Sequence, residues 1–299
     1  MGILVIGSVA FDSVETPYGR HKDVLGGSAI YFSLSARFFN VVDIVACVGE
    51  DFPKEFIAML KARRIGTSGL EVLKGKTFRW EARYSGDMNQ AHTLATHLNV
   101  FKGFIPKIPA LLRGSQYLFL ANIDPGLQDD VLRQVKRPEF VGCDTMNHWI
   151  TEKPRELDKL IKKVDMLFVN DSEARQLSSE SNLLKAAKEI IRMGPKIVVI
   201  KKGEHGLILY SRNVRFMAPA YLLERVNDPT GAGDSFAGGT MGFLSRARRI
   251  NAASLRRAVI YGTIAASFTV EDFSVNRLLR LKRPEIEARL KAFRSLTRF

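Results

Sequence analysis

Short, uninterrupted apolar runs recur along the 299-residue chain, at 3–7, 44–48, 117–121, 140–143, 166–169 and 197–200. None alternates apolar with polar positions, so each predicts a strand covered on both faces, as inside a parallel sheet. Between them, the stretches 53–63, 156–163, 183–192 and 252–269 carry apolar residues at helical spacing. Strand-helix alternation of this kind predicts a largely parallel sheet with helices on both faces. Two stretches differ. Residues 13–24 and 77–101 alternate polar with apolar or aromatic side chains, as in Phe78-Arg79-Trp80-Glu81-Ala82-Arg83-Tyr84, with a turn at Ser85-Gly86-Asp87. That is the period of strands with one face in solvent. They predict a small β flap, about 13–25 and 77–101, inserted into one domain spanning 1–299, since no repeat or Pro/Gly linker divides the chain. The tail 277–298, with Leu278, Leu279, Leu281, Ile286, Leu290 and Phe293 among Lys and Arg, predicts an amphipathic helix.

Composition narrows the class. With 46% hydrophobic and 25% charged residues the chain is expected to be globular. It has no run of about 18 apolar residues, so no membrane-spanning helix is expected. The start meets Asp12 and Glu15 with no basic segment before them, which favours a core strand over a signal peptide. Cys47 and Cys143 lie in apolar runs, are expected to be buried and unpaired, and fit a cytoplasmic location. The net charge of +14 favours anionic partners. The basic residues are scattered and lack interleaved aromatics, so nucleic-acid binding is not expected. His92 and His97 have no thiol or carboxylate at ligand spacing, and no Gly-x-Ser-x-Gly elbow supplies a hydrolase nucleophile.

The chemistry concentrates at Asn227-Asp228-Pro229-Thr230-Gly231-Ala232-Gly233-Asp234, which runs into a helix-forming stretch. Two glycines around one alanine let backbone N–H groups turn toward a single point, and a helix starting there adds its positive end. That is an anion cradle, suited to a phosphoryl group in transfer. An aspartate beside it, Asp234, is placed to take a proton from an attacking hydroxyl. A glycine-rich turn with Asp234 as an ordinary helix cap is the alternative at this level. Two other glycine motifs fail. Gly231-Ala232-Gly233-Asp234-Ser235-Phe236 ends in Phe where a dinucleotide fingerprint needs Gly. Gly75-Lys76-Thr77 lacks the earlier glycine of a P-loop and leads into a strand.

The loop resembles the signature Asp-Thr-x-Gly-Ala-Gly-Asp of the ribokinase-like (PfkB) carbohydrate kinase family, and further markers follow the family's order from Ile3 to about Leu279. The resemblance implies a three-layer α/β sandwich with a β lid, Asp234 as catalytic base, and the amides of Gly231, Ala232 and Gly233 as the anion hole. It also implies that Asp12 and the diglycine Gly26-Gly27 hold the substrate, with Tyr31 where the family commonly has Asn. Arg79 and Trp80 of the lid are expected to reach the ligand, and the lid itself is expected either to cover the substrate or to pair two subunits. Asn170 and Glu173, in Asn170-Asp171-Ser172-Glu173, are similar to an Asn-x-x-Glu motif that organises Mg²⁺ near the phosphates, with Asp228 a second metal-side carboxylate. Lys202, Gly203 and Gly206 resemble a Gly-x-x-Gly turn over the phosphates and ribose of ATP. Thr263 lies in a small-residue helix implied to flank the adenine. Glu271-Asp272-Phe273-Ser274 departs from the family's cation loop, which puts a monovalent cation in doubt. Asp144 and Asn147, and likewise Asn122 and Asp124, follow strands and are candidates for the same crevice.

The expected reaction is transfer of the γ-phosphate of ATP to a hydroxyl, with Mg²⁺ at the phosphates. A sugar or polyol is the first expected acceptor, and a nucleoside stacked on Tyr31, Trp80 and Tyr84 the second. A nucleotide- or nucleic-acid-binding protein without kinase activity is the reading from another class.

Overall fold

The computed structural model describes residues 2–298. Its strands are β1 (Ile3–Ile6), β2 (Ala10–Thr16), β3 (Gly19–Gly26), β4 (Val42–Gly49), β5 (Ile65–Leu73), β6 (Phe78–Tyr84), β7 (Ala91–His97), β8 (Tyr117–Leu120), β9 (Phe140–Asp144), β10 (Met166–Asn170), β11 (Ile197–Lys201), β12 (Leu207–Ser211) and β13 (Arg215–Ala218). Its helices are α1 (Ser28–Ala36), α2 (Lys54–Ala62), α3 (Pro125–Gln134), α4 (Asn147–Glu152), α5 (Pro154–Ile161), α6 (Asp171–Ser178), α7 (Leu183–Met193), α8 (Ala232–Leu244), α9 (Ala252–Thr269), α10 (Asn276–Arg280) and α11 (Arg283–Leu296).

Nine strands form one sheet in the order β13-β12-β11-β10-β9-β8-β1-β4-β5. From β5 to β11 every pairing is parallel; β12 and β13 continue it antiparallel. Each apolar run serves both faces, because successive side chains point to opposite sides. Ile3, Val5, Phe119, Phe168 and Val199 join a core under α1, α8 and α9. Leu4, Ile6, Leu118, Leu120, Leu167 and Val198 join a second core on the other face, under α3, α5 and α7. This is the three-layer arrangement anticipated from the pattern.

Three strands escaped the sequence reading. β5 closes one edge and is only half covered, while β12 and β13 form a hairpin at the other edge. Edge strands lack the unbroken apolar run that marks a central strand. The tail also differs from the single helix expected. Leu281 and Lys282 adopt extended backbone, and Pro284, which cannot donate an amide, restarts the chain as α11.

The second sheet, β3-β2-β6-β7, is the flap. It begins at Ala10 rather than near 13, so Asp12 belongs to a flap strand and not to a turn beyond β1. It ends at His97, and residues 99–103 form a 3₁₀ turn instead of continuing the strand. Its root is tied to the main sheet through Asp51, whose carboxylate accepts from the amide (2.7 Å) and hydroxyl (2.6 Å) of Thr77.

One packing feature positions the site. α1 is buried along its whole length, and α8 lies against it and α9 at glycine contacts. A methyl group on Gly238 would fall 2.3 Å from the Phe32 carbonyl oxygen, and one on Gly239 would fall 2.7 Å from that of Tyr261. Close approach of these helices fixes the N-terminus of α8 at the strand ends.

Candidate active site

Most of the polar residues singled out from sequence converge where β9, β10 and β11 end and α8 begins, the crevice in which open α/β sheets place ligands. The loop before α8 is tied down at several points. Asp228 accepts from the amides of Thr230 (2.9 Å) and Ser274 (3.2 Å), and the side-chain amide of Asn227 donates to the Glu271 carbonyl. Ala232 donates its amide to the Pro229 carbonyl at 3.1 Å, closing the turn. The anion hole therefore departs from the expected three amides. Among the described residues, the amides of Gly231 and Gly233 make no hydrogen bond within the protein, whereas that of Ala232 is occupied. Gly231 has φ +73, and the buried ring of Tyr31 lies directly against it, 2.3 Å from where a Cβ would stand.

Asp234 sits in the first turn of α8. Burial, then the nearby charge of Asp144, push its carboxyl up to about 7, with Lys201 opposing the shift. Asp12 is buried against Gly26, where a methyl group would fall 1.9 Å from its Oδ2, and Gly27 supplies it with a backbone hydrogen bond. Burial, then the charges of Asp228 and Asp234, push Asp12 up to about 8. The Tyr31 hydroxyl is buried without a hydrogen-bond partner. Tyr84, expected with Arg79 and Trp80 to reach the ligand, has its hydroxyl 3.4 Å from Thr230 Oγ1. Trp80 packs beside Tyr84, Val14 and Met88 on the flap.

Three expected roles are corrected. Arg79 does not reach toward an acceptor: its guanidinium is forked between Asp23 and Asp51, each at 2.8 Å, and lies over the Phe11 ring. Asp228 spends both carboxylate oxygens on backbone amides and acts as a clamp on the loop. The cation that lies beside the glycine-rich turn is Lys201 rather than Lys202. Lys201 Nζ is 2.8 Å from Asp144 Oδ2 and 3.1 Å from a Cβ placed on Gly233. Lys202 faces an adjoining polar cleft of about 600 Å³ and donates its amide to Gly206 at 2.8 Å. Asn122, Asp124 and Asn147 are likewise structural: Asn122 accepts from the Trp149 indole, Asp124 caps α3, and Asn147 bonds Gln176.

Gly203, Gly206, Gly233, Thr263 and Ala266 line a cleft of about 470 Å³ that ends at Lys201. It runs from Gly233 of the glycine-rich turn along α9 at Thr263 and Ala266. The flap tip closes over it, with Asn89 donating toward Glu204 at 3.4 Å. Asn170 and Glu173 form a reciprocal capping box, both bonds 2.7 Å, at the start of α6. Glu173 is nonetheless pushed up to about 7, by burial first, with Lys201 opposing and Asp144 adding to the shift. Among the described residues no group of three or more His, Cys, Asp or Glu is arranged to hold a metal. A Mg²⁺ held chiefly by nucleotide phosphates and water needs only one or two carboxylates, and Glu173 at this end fits that need.

Comparison with known proteins agrees with this geometry. The family model of pfkB family carbohydrate kinases matches residues 3–280. A nucleoside kinase of Methanothermobacter thermautotrophicus is 35% identical over 290 residues, covering 90% of this chain and 89% of the relative. A cytidine kinase of Thermococcus kodakarensis is 30% identical over 252 residues, covering 83% and 90%. Among solved structures, a putative ribokinase II of E. coli, in complex with ATP and Mg²⁺, superposes with a TM-score of 0.80 at 20% identity, covering 97% of this chain and 99% of that one. The nucleoside kinase of Methanocaldococcus jannaschii gives 0.78 at 19% identity, covering 98% and 99%. These structures share the fold, and the family match spans nearly the whole sequence: the chain belongs to the pfkB family of carbohydrate kinases, phosphotransferases that act on hydroxyl groups.

Proposed function

We propose that this protein transfers the γ-phosphate of ATP to a hydroxyl of an uncharged, sugar-containing acceptor. The observation that carries it is Asp234: a half-buried carboxylate, pushed up to about 7, at the mouth of a cradle with two free amides. The acceptor hydroxyl lies between Asp12 and Asp234, and Asp234 removes its proton as the new bond to phosphorus forms. The amides of Gly231 and Gly233 and the N-terminus of α8 stabilise the negative charge on the phosphoryl oxygens. The flap excludes water that would compete for the phosphoryl group. Mg²⁺, when bound, shields the phosphate charges.

The charge of the acceptor follows from the pocket. Asp12 and Asp228 are buried, Asp234 is half-buried near Asp12, and each carboxyl is pushed up. Nearby cations are engaged elsewhere, Arg79 by Asp23 and Asp51, and Lys201 by Asp144. An acceptor that already carries a phosphate would meet unrelieved repulsion. The test is a screen of free sugars, polyols, nucleosides and their monophosphates with Mg-ATP. Turnover of uncharged acceptors alone is expected; turnover of a sugar phosphate at comparable efficiency would overturn the charge argument.

A nucleoside is favoured among these acceptors because two of the relatives are named as cytidine and nucleoside kinases, and Trp80, packed beside Tyr84 on the flap, offers a partly exposed aromatic ring for a base. Stacking of a base on an aromatic ring contributes roughly 1–3 kcal/mol. Trp80→Ala is therefore expected to raise the acceptor KM by roughly five- to a hundredfold with the ATP KM unchanged. A parallel rise in both would place Trp80 outside the acceptor site. The flap also supports pairing of two copies, since β7 is bonded only to β6 and leaves an open strand edge.

A further inference from the structure

Lys201, the last residue of β11, is largely buried and faces a ring of carboxylates. Among the described residues its one salt bridge is to Asp144, at 2.8 Å, while Glu173 and Asp234 both act on it electrostatically. The same Nζ lies 3.1 Å from where a Cβ on Gly233 would stand, so the ammonium rests against the backbone of the anion hole. Lys201 also lines both clefts, the one along α9 and the polar one beside it.

An ammonium has three donors, and the side chains and backbone here engage it at Asp144 alone. A buried ion pair contributes little net stability, because the desolvation of both ions offsets their attraction. Exchanging Asp144 for another anion at the same distance therefore costs little. Asp144 keeps one hydrogen bond after the exchange, since its Oδ1 accepts from the Thr145 amide at 2.9 Å.

We propose that Lys201 is a further catalytic residue, carrying the phosphoryl group in transfer, with Asp144 as the positioning residue that holds it ready. The assignment rests on the kinase reading. Without nucleotide the ammonium is parked on Asp144. With ATP present it turns to an oxygen of the γ-phosphoryl group, beside the amides of Gly231 and Gly233. The bond from the γ-phosphorus to the bridging oxygen breaks, and that oxygen leaves on ADP with the electron pair. The bond from phosphorus to the acceptor oxygen forms, and the acceptor's proton passes to Asp234. Charge on the phosphoryl oxygens is then met by one full cation and two fixed dipoles in a site with little water.

Lys201→Met tests this. Loss of one such group is expected to lower kcat by roughly 100- to 1,000-fold. Titration calorimetry without acceptor should find ADP affinity within about threefold of wild type while ATP affinity falls at least about tenfold relative to it, as expected for loss of a charge-assisted bond. A kcat within threefold of wild type, or equal losses for ATP and ADP, would overturn the assignment. Lys201→Met leaves Asp144 buried without a partner, so if it fails to fold the same ratio is read in Lys201→Met/Asp144→Asn, which removes both charges. Asp144→Asn alone keeps the lysine, and should cost kcat at most about tenfold while preserving the preference for ATP. The single losses should not add in the double variant; additive losses would reduce Asp144 to a folding contact and remove its positioning role. Calorimetry needs no acceptor. A wild-type protein that phosphorylates nothing would thus count against the kinase reading, while the ATP-to-ADP ratio would still decide Lys201.

Discussion

Asp234→Asn is expected to lower kcat by roughly 1,000-fold, within the 10²–10⁴ range that a positioned general base contributes. ATP binding should persist, because the free amides of Gly231 and Gly233 belong to the backbone and survive the change. Asparagine matches aspartate in size and cannot accept the acceptor's proton, so the loss falls on the chemical step. The pH dependence follows from the environment of Asp234, whose carboxyl is pushed up to about 7 by burial and by Asp144. Only the ionised form is a base. The wild-type rate should rise with pH through about 7 and level off above it, and the variant should lose that rise. Stability has the opposite sign. Asp12, Glu173 and Asp234 hold protons to about 8, 7 and 7 in the folded protein. In the unfolded chain such groups release them near pH 4. The folded state thus binds more protons between these limits, and its stability falls as pH rises from about 4 to 8. Melting temperatures of the ligand-free protein should decline across that window, and less steeply in Asp234→Asn. A variant that keeps more than a tenth of wild-type kcat would end the assignment of Asp234 as base.

Gly231→Ala is expected to cost both turnover and stability. At φ +73 the backbone is in the left-handed region, where an alanine is strained by about 1–2 kcal/mol. Its methyl group would also stand 2.3 Å from Tyr31 Cγ, inside a ring that is 1% exposed and has no space to retreat. Overpacking of this kind costs about 1–3 kcal/mol. The loop must move, and the Gly231 amide moves with it, so kcat should fall roughly 100-fold, as for loss of one anion-hole donor. A melting temperature lowered by several degrees together with this loss of kcat is the expected pair of results. Unchanged turnover in a destabilised protein would mean that the Gly231 amide does not face the phosphoryl group.

Legibility followed the range of the interaction involved. The central strands were readable because each apolar run carries its own evidence of two covered faces. β5, β12 and β13 were not, since edge strands have one uncovered side and mixed sequences. The break before α11 was signalled by Pro284 but hidden by the continuous apolar spacing on either side. At the candidate site, the juxtaposition of Asp234 with the amides of Gly231 and Gly233 was readable because all three sit on one short turn. The role of Ala232 was not, because the direction of a single amide depends on the turn's closure onto Pro229. Asn170 and Glu173 were seen as a pair, and their capping box is local; their place near Lys201 is not.

By itself, the sequence determined a two-faced parallel sheet and the glycine-rich turn that carries Asp234. Both are written in residues close together along the chain, where spacing stands in for distance. Tertiary structure alone decided between Lys201 and Lys202, through a partner 57 residues away in Asp144. It alone drew Arg79 away from the acceptor, to Asp51, 28 residues distant, and to Asp23, 56 residues distant. It alone brought Asp12 near Asp228 and Asp234, whose charges, after burial, push its carboxyl up. Charge, burial and hydrogen bonding depend on which atoms meet in space, and for these residues the partners lie in other elements of the fold.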